Sequence, residues 1–297
     1  MENPSSSQPR ALTPQQQLHY NEKGYYFPIK VLSENEVADF RGRFEDYVDQ
    51  REERLKSLLQ RDRRNYFTDL HLCMEWVYRI VSNPIVLDAV ESILGPNLLV
   101  WGAQWFPKLP SEKAYVSWHQ DGTYWGLHPP SVTTAWIAFT ESNMENGCMR
   151  VVPGTHKFPL LPQRETYAAN NMLSRGQEIA VEVDEQQAVD LVLRPGEMSL
   201  HHIGIIHGSG PNQSKGPRIG LAIRYIAPEV KQSGRERDVA MLVRGKDEYG
   251  NFKLVTPPER DESPEESAVL AEAQRRKTAN IMADQPPRPN GFVRKEG

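Results

Sequence analysis

The segment Trp118-His119-Gln120-Asp121 sets an imidazole and a carboxylate two residues apart, and a second imidazole, His207, stands far along the chain before a Gly-Ser-Gly turn. On a strand or its exit turn, residues i and i+2 project to one side, so His119 and Asp121 can reach one ion while Gln120 points away. Two histidines and a carboxylate hold three corners of an octahedron and leave three open, a donor set suited to an Fe(II) that must also take a substrate and O2. His-x-Asp alone is weak, since the same pair occurs in surface turns, and His207 alone would pass for a hydrogen-bonded histidine at a strand end. Arg218, which opens the run Arg-Ile-Gly-Leu-Ala-Ile-Arg-Tyr-Ile, supplies a separate argument. If His207 and Arg218 flank a hairpin, the guanidinium lies inside a barrel, where it is costly unless paired. An incoming carboxylate gripped in a two-pronged fork would be that partner.

These residues need a scaffold, and the pattern of apolar residues predicts one. Thr13-Pro14-Gln15-Gln16 reads as a capping box with proline at the first helical position, opening a short helix that stops at Gly24. Tyr25, Phe27, Ile29 and Val31 alternate as in a strand. Ser33 to Glu36 is a second capping box, leading a helix through Val37, Phe40, Phe44 and Val48. Asn83-Pro84 starts another, ended by Gly95. From about residue 97 short β-type runs follow one another, among them 98–106, 114–118, 132–139, 149–152, 179–183, 189–193, 198–206 and 219–226, punctuated by Gly, Pro and Asn. Many short strands with turn signals predict a mainly β fold with flanking helices, a double-stranded β-helix (jelly roll, cupin-like) core. Ser263-Pro264-Glu265-Glu266 is a third capping box, for a helix through Val269, Leu270, Ala273 and Ile281. The expected organisation is a disordered tail over 1–12, a helix-buttressed β domain over 13–227, and a C-terminal segment over 228–297 with one helix and a Pro-rich flexible end.

Composition removes other classes. A net charge of −4 gives no general pull toward nucleic acid or anionic lipid. No apolar run approaches the roughly 20 residues that span a bilayer. Two cysteines, Cys73 and Cys148, make no disulfide framework, and with no signal peptide they point to the reducing cytoplasm. The expected partner is a small molecule, with neither nucleic acid nor membrane; self-association is left open.

Four segments in order, WHQDGTYWGL (118–127), TTAWIAFTESNMENGCMRVVPGTHK (133–157), LRPGEMSLHHIGIIHGSGPN (193–212) and GPRIGLAIRY (216–225), resemble the phytanoyl-CoA dioxygenase family of Fe(II)- and 2-oxoglutarate-dependent oxygenases. The anchors run from about 104 to 226, with weaker similarity back to about 14. The resemblance implies that His119, Asp121 and His207 ligate iron, that Arg218 grips the distal carboxylate of 2-oxoglutarate, and that Ser209 adds a hydroxyl hydrogen bond. It further implies that Gln104 contacts the cosubstrate and that Trp136 walls its pocket. Related halogenases lack the carboxylate, so Asp121 argues against halogenation. The Pro153-Gly154-Thr155-His156 turn is a family signature that we read as structural.

Three further residues are candidates for the substrate pocket. Tyr124 and Trp125 directly follow the His-x-Asp pair and should rim the open side of the metal, although either would serve equally as core filling. His201 shares the face of His207 by alternation if no bulge intervenes; a packed histidine in the barrel wall is the plainer reading. Arg164, Arg175 and Arg224 are read as surface charges before substrate ligands. The expected activity is hydroxylation of an unactivated C–H bond, with O2 and 2-oxoglutarate consumed and succinate and CO2 released. A metal-containing cupin-like binding or sensing module without turnover is the alternative, and Arg218 argues against it, because a pure binder has no need of a carboxylate anchor beside an iron triad.

Overall fold

A computed structural model describes residues 11–281 apart from Ser111 and Arg235. The helical half comes first. α1 (Pro14–Lys23) precedes β1 (Tyr25–Lys30), and α2 (Glu34–Asp49), α3 (Glu52–Lys56), α4 (Gln60–Phe67), α5 (Glu75–Val81) and α6 (Pro84–Leu94) follow. The first two capping boxes form as the sequence predicts: the Thr13 and Ser33 side chains accept from the backbone of Gln16 and Glu36, whose side chains answer. Gly24 ends α1 at φ 82°, a left-handed conformation that only glycine takes without penalty.

The β half runs β2 (Leu98–Trp105), β3 (Val116–His119), a short helix α7 (Gly122–Trp125), β4 (Leu127–His128), β5 (Val132–Ala138), β6 (Met149–Val152), β7 (Gln163–Glu165), β8 (Gln177–Ile179) and β9 (Val189–Leu191). It continues through β10 (Glu197–His202), β11 (Ile206–Ser209), β12 (Gly220–Ile226), β13 (Lys231–Gln232), β14 (Val239–Arg244) and β15 (Lys253–Leu254), and α8 (Pro264–Ile281) ends it. The major sheet has the order β1-β10-β5-β12-β2-β14-β15, and a minor sheet has the order β3-β11-β6-β9. This is the expected jelly roll.

The two faces of the major sheet do different work. On β12, Leu221, Ile223 and Tyr225 point out and join Phe40, Phe44, Trp76, Val77, Ile80 and Val90 in one helix-side core. Phe44 stacks on Trp105 at 4.3 Å. Each such buried side chain contributes roughly 1.5–3 kcal/mol. The alternate residues, Ala222 and Arg224 on β12 and Thr134 and Trp136 on β5, face a cavity between the sheets. Period-two alternation therefore spends one face on the core and keeps the other for chemistry.

Four expectations are corrected. The run 198–206 is two strands: β10 stays in the major sheet, the chain turns through Ile203 and Gly204, and β11 begins the minor sheet. The ordered chain includes Leu12, which is buried with its amide on Ser92 Oγ; residues 1–10, and the expected flexible end beyond 281, lie outside the described residues. The boundary at 227 separates no packing unit, because β14 pairs antiparallel with β2 inside the major sheet. The third capping box forms by half: Ser263 Oγ accepts from the Glu266 amide, but Glu266 Oε1 turns to the Glu259 amide.

α8 returns to β2 at Trp101 and is fastened there by charge. Lys277 Nζ donates to Asp69 Oδ2 at 2.7 Å and to the Trp101 carbonyl at 2.9 Å. Asp69 is fully buried and also accepts from the Ala103 amide. Burial would raise its carboxyl, but Lys277 and then His71 hold it below the usual range. The stabilisation is therefore present at neutral pH and is lost as pH falls through the depressed folded-state value. Lys277→Met strands that carboxylate, so urea unfolding at pH 7 should show a loss of about 3–5 kcal/mol, shrinking toward acid; a loss that does not change with pH would mean that the ion pair is not its source.

Candidate metal centre and cosubstrate pocket

His119 ends β3, Asp121 lies on the turn into α7, and His207 sits on β11. Because β3 and β11 pair antiparallel with His207 directly opposite His119, the two imidazoles meet with ring centroids 4.1 Å apart. His119 Nε2 is 3.3 Å from Asp121 Oδ1, and His207 Nε2 is 3.9 Å from Oδ2. One donor atom from each residue lies within 4.8 Å of the others, and all three side chains are buried. The turn is held from outside: Gln120 Nε2 donates to the Gly204 carbonyl, its Oε1 accepts from the Leu161 amide, and the Gly122 amide donates to Ile203. Gln120 does point away, as the spacing predicts.

Both imidazoles are set for a metal by the backbone. His119 Nδ1 lies 2.8 Å from the Ser117 carbonyl and His207 Nδ1 lies 3.1 Å from that of Ile205. A carbonyl only accepts, so each Nδ1 carries the proton and each Nε2 lone pair faces the centre. Burial drives the His207 imidazole well below its ordinary range, with His119 adding to the effect, which leaves it neutral. Burial alone would raise the Asp121 carboxyl, but the two imidazoles that face it, His119 first, hold it far below the usual carboxylate range, so it is ionised. Tyr124 Oη donates to Asp121 Oδ1 at 3.0 Å. Two neutral nitrogen donors and an ionised oxygen fit Fe(II).

Arg218 lies just before β12, bridged to Lys108, and is 2% exposed. Its guanidinium stands 5.2 Å over the Trp136 ring and donates a long hydrogen bond, 3.4 Å, to the Phe106 carbonyl, while Nε has no partner. It forms no ion pair with a described carboxylate. Burial lowers the guanidinium to about 10, which still leaves it charged at neutral pH. A permanent buried charge without a counter-ion fits an acid that arrives with the reaction. Gly220 gives Trp136 its place, since a Cβ there would sit 2.0 Å from the ring.

The predicted residues converge. Gln104, Trp136, Ser209, Arg218, Tyr124, Trp125 and His201 all line the cavity that holds the triad. His201 arrives by a different route from the one expected: it faces His207 from the opposite sheet, at 4.8 Å between rings, and burial holds it down to about 4. Of the three arginines read as surface charges, Arg164 is exposed on Glu178 and Arg175 is buried on Glu165, but Arg224 enters the cavity. Its parity with Arg218, Gly220 and Ala222 on one strand was the available signal. Arg64 and Lys108 had no such signal. Lys108 is fully buried, with Nζ donating to Ser209 Oγ at 2.6 Å and to the carbonyls of Ser209, Gly147 and Gly210. Burial, then the charge of Arg218, push its amine well below the ordinary range. α8 reaches the same cavity: Ile281 lines it, and its carbonyl accepts from Arg175.

Loss of an outer hydrogen-bond partner of a metal ligand typically weakens binding about 10–100-fold, so His119→Ala and His207→Ala should each exceed about 100-fold loss of Fe(II) in equilibrium dialysis. Full iron occupancy in either variant would move the centre elsewhere. Gly220→Ala should keep the iron but displace Trp136, visible as a changed tryptophan fluorescence.

The phytanoyl-CoA dioxygenase (PhyH) family model matches residues 20–220. The bovine protein "Phytanoyl-CoA dioxygenase, peroxisomal" is 29% identical over 272 residues, covering 82% of this chain and 79% of its own. Among solved structures, a non-heme monooxygenase, ThoJ in its apo form, superposes with TM-score 0.78 at 34% identity, over 90% of this chain and 98% of that one. CytC3 with Fe(II) and alpha-ketoglutarate shares the fold at TM-score 0.62, 22% identity and 84% and 95% coverage. Among the described residues no helix is long and apolar enough to cross a membrane. With the triad geometry and the match over most of its length, the chain belongs to the phytanoyl-CoA dioxygenase (PhyH) family of iron- and 2-oxoglutarate-dependent oxygenases.

Proposed function

We propose that the protein hydroxylates an unactivated C–H bond of a small-molecule metabolite, consuming O2 and 2-oxoglutarate and releasing succinate and CO2. The observation that carries this reading is Arg218, a buried guanidinium without a carboxylate, in the same cavity as His119, Asp121 and His207. The 34% identical monooxygenase supports delivery of an oxygen atom to substrate. Bound iron with its cosubstrate supplies the oxidising power that side chains lack.

The chain's own contribution is placement. Arg218 presents two N–H prongs to the distal carboxylate, a planar match that an ammonium cannot reproduce. Ser209 Oγ already accepts from Lys108, so its hydroxyl proton is free to donate to the same carboxylate. Trp136 closes one side of the guanidinium, and Gln104 on β2, paired with Ala222, lines the same cavity. Tyr124 keeps its proton, because burial and then the Asp121 charge raise its phenol far above the ordinary range, and it holds Asp121 Oδ1 in place. Trp125 packs on Trp101 and lines the cavity as an apolar wall.

We also retain the cytoplasm as its location. Cys73 and Cys148 are buried free thiols that burial pushes up to about 12 and about 11, unreactive groups suited to a reducing compartment. Recovery of the tagged protein in an oxidising compartment would overturn this.

Arg218→Ala should raise the 2-oxoglutarate concentration needed for half-maximal succinate formation by roughly two orders of magnitude or more, the scale of losing one partner of a buried charge pair. The Fe(II) requirement should stay within a few-fold, and Arg218→Lys should recover only part. An unchanged 2-oxoglutarate requirement would remove Arg218 from the anchor role.

A further inference from the structure

Arg218 is not the only arginine in the cavity. Arg64, in the last turn of α4, and Arg224, on the inner face of β12, also line it, and the Nε of each is buried without a partner. Neither makes an ion pair with any described carboxylate. Among the described residues lining the cavity the only acid is Asp121, which the metal takes. With a divalent iron bound, the site holds an excess of four positive charges, and 2-oxoglutarate brings two negative ones. An excess of two remains, carried by guanidiniums that do not deprotonate near neutral pH.

The positions of the two groups set them apart from the cosubstrate anchor. Arg224 lies six residues beyond Arg218 along the same strand, about 20 Å of extended backbone at roughly 3.3 Å per residue. Its guanidinium lies 5.4 Å from the Trp125 ring and 5.9 Å from that of Phe106, on the side of the rim residues expected to face substrate. Arg64 is held over the cavity by α8, where Gln274 Nε2 donates to the carbonyls of Asn65 and Thr68. Two like charges kept together in a partly desolvated cleft oppose folding, and such an arrangement persists where an occupant relieves it.

We infer that Arg64 and Arg224 form a two-arginine cradle for an anionic group of the prime substrate, a carboxylate or a phosphoryl group, which aims the reacting carbon at the metal. This rests on the reading of the protein as a 2-oxoglutarate-dependent oxygenase and narrows its substrates to acids. Neutral alcohols and amides of the same shape leave the excess charge uncompensated, cationic amines add to it, and both bind poorly.

The test uses the full chain loaded with Fe(II) and saturating 2-oxoglutarate under anaerobic conditions, titrated by calorimetry with hexanoate, hexylphosphonate and the neutral isostere hexanamide. At least one anion should bind, and hexanamide should bind much more weakly. Arg64→Gln and Arg224→Gln should each weaken the anion by roughly 10- to 100-fold, the scale of a charge-assisted hydrogen bond, and should leave the 2-oxoglutarate dissociation constant within about twofold. Arg64→Lys should recover part of the loss, and neither glutamine variant should have a lower melting temperature than wild type. If Arg224→Gln fails to fold, Arg64→Gln carries the same comparison. Equal binding of hexanoate and hexanamide, no binding of either anion, or a loss that falls on 2-oxoglutarate would overturn the inference. In the last case the cradle serves the cosubstrate. Failure of the wild type to bind 2-oxoglutarate in the presence of Fe(II) would instead bring down the oxygenase reading, so the two failures are separate.

Discussion

The antiparallel pairing of β3 with β11 is the constraint on which the rest of the structure depends. It sets His119 opposite His207, and a slip of one residue would turn one imidazole out of the cavity. Ser117 on β3 and Ile205, which leads directly into β11, supply the carbonyls that fix both tautomers, so register and ligand chemistry are one decision. A histidine whose Nδ1 is already donating to the backbone has a single lone pair left, and in both residues it faces Asp121.

Everything outside this pair supports it or fills the space it opens. The helices bury the outer face of the major sheet, where Phe44, Trp76 and Trp105 pack with Ile137, Leu221 and Ile223. With that face spent on the core, the cavity on the other side carries what no ordinary core tolerates: three arginines, three histidines and a carboxylate. Lys108 shows the condition for such burial, being accepted at a 0% exposed position only by several oxygens around its nitrogen. Arg64, Arg218 and Arg224 have no comparable satisfaction, and their deficit is the physical signature of ligands that come and go.

The C-terminal part is continuous with the catalytic scaffold. β14 extends the major sheet from β2, α8 crosses back to Asp69 and to the end of α4, and Ile281 reaches the cavity itself. The charged residues Arg275, Arg276 and Lys277 of α8 pair with Glu236, Glu272 and Asp69. The lining of the cavity and the docking of the helix are thereby joined in one element.

The sequence by itself determined the local and the chemical parts of this protein. Capping residues, the glycine after α1 and period-two alternation are short-range physics, so α1, α2, α6 and most strands were legible from a few neighbouring residues. His119, Asp121, His207 and Arg218 were legible because their residue types admit few chemistries at that spacing. What only the tertiary structure decided depends on contacts between distant segments. The run 198–206 looks like one strand until the two sheets it joins are in view. Arg224 looks like a surface charge until β5 and β2 close around it, and Arg64 lies on a helix whose inward face is set by α8 packing far away in sequence. Enclosure is a property of the assembled chain, and it is the cavity, with the Nε of each held away from water and without a partner, that sets these arginines apart from ordinary solvated charges.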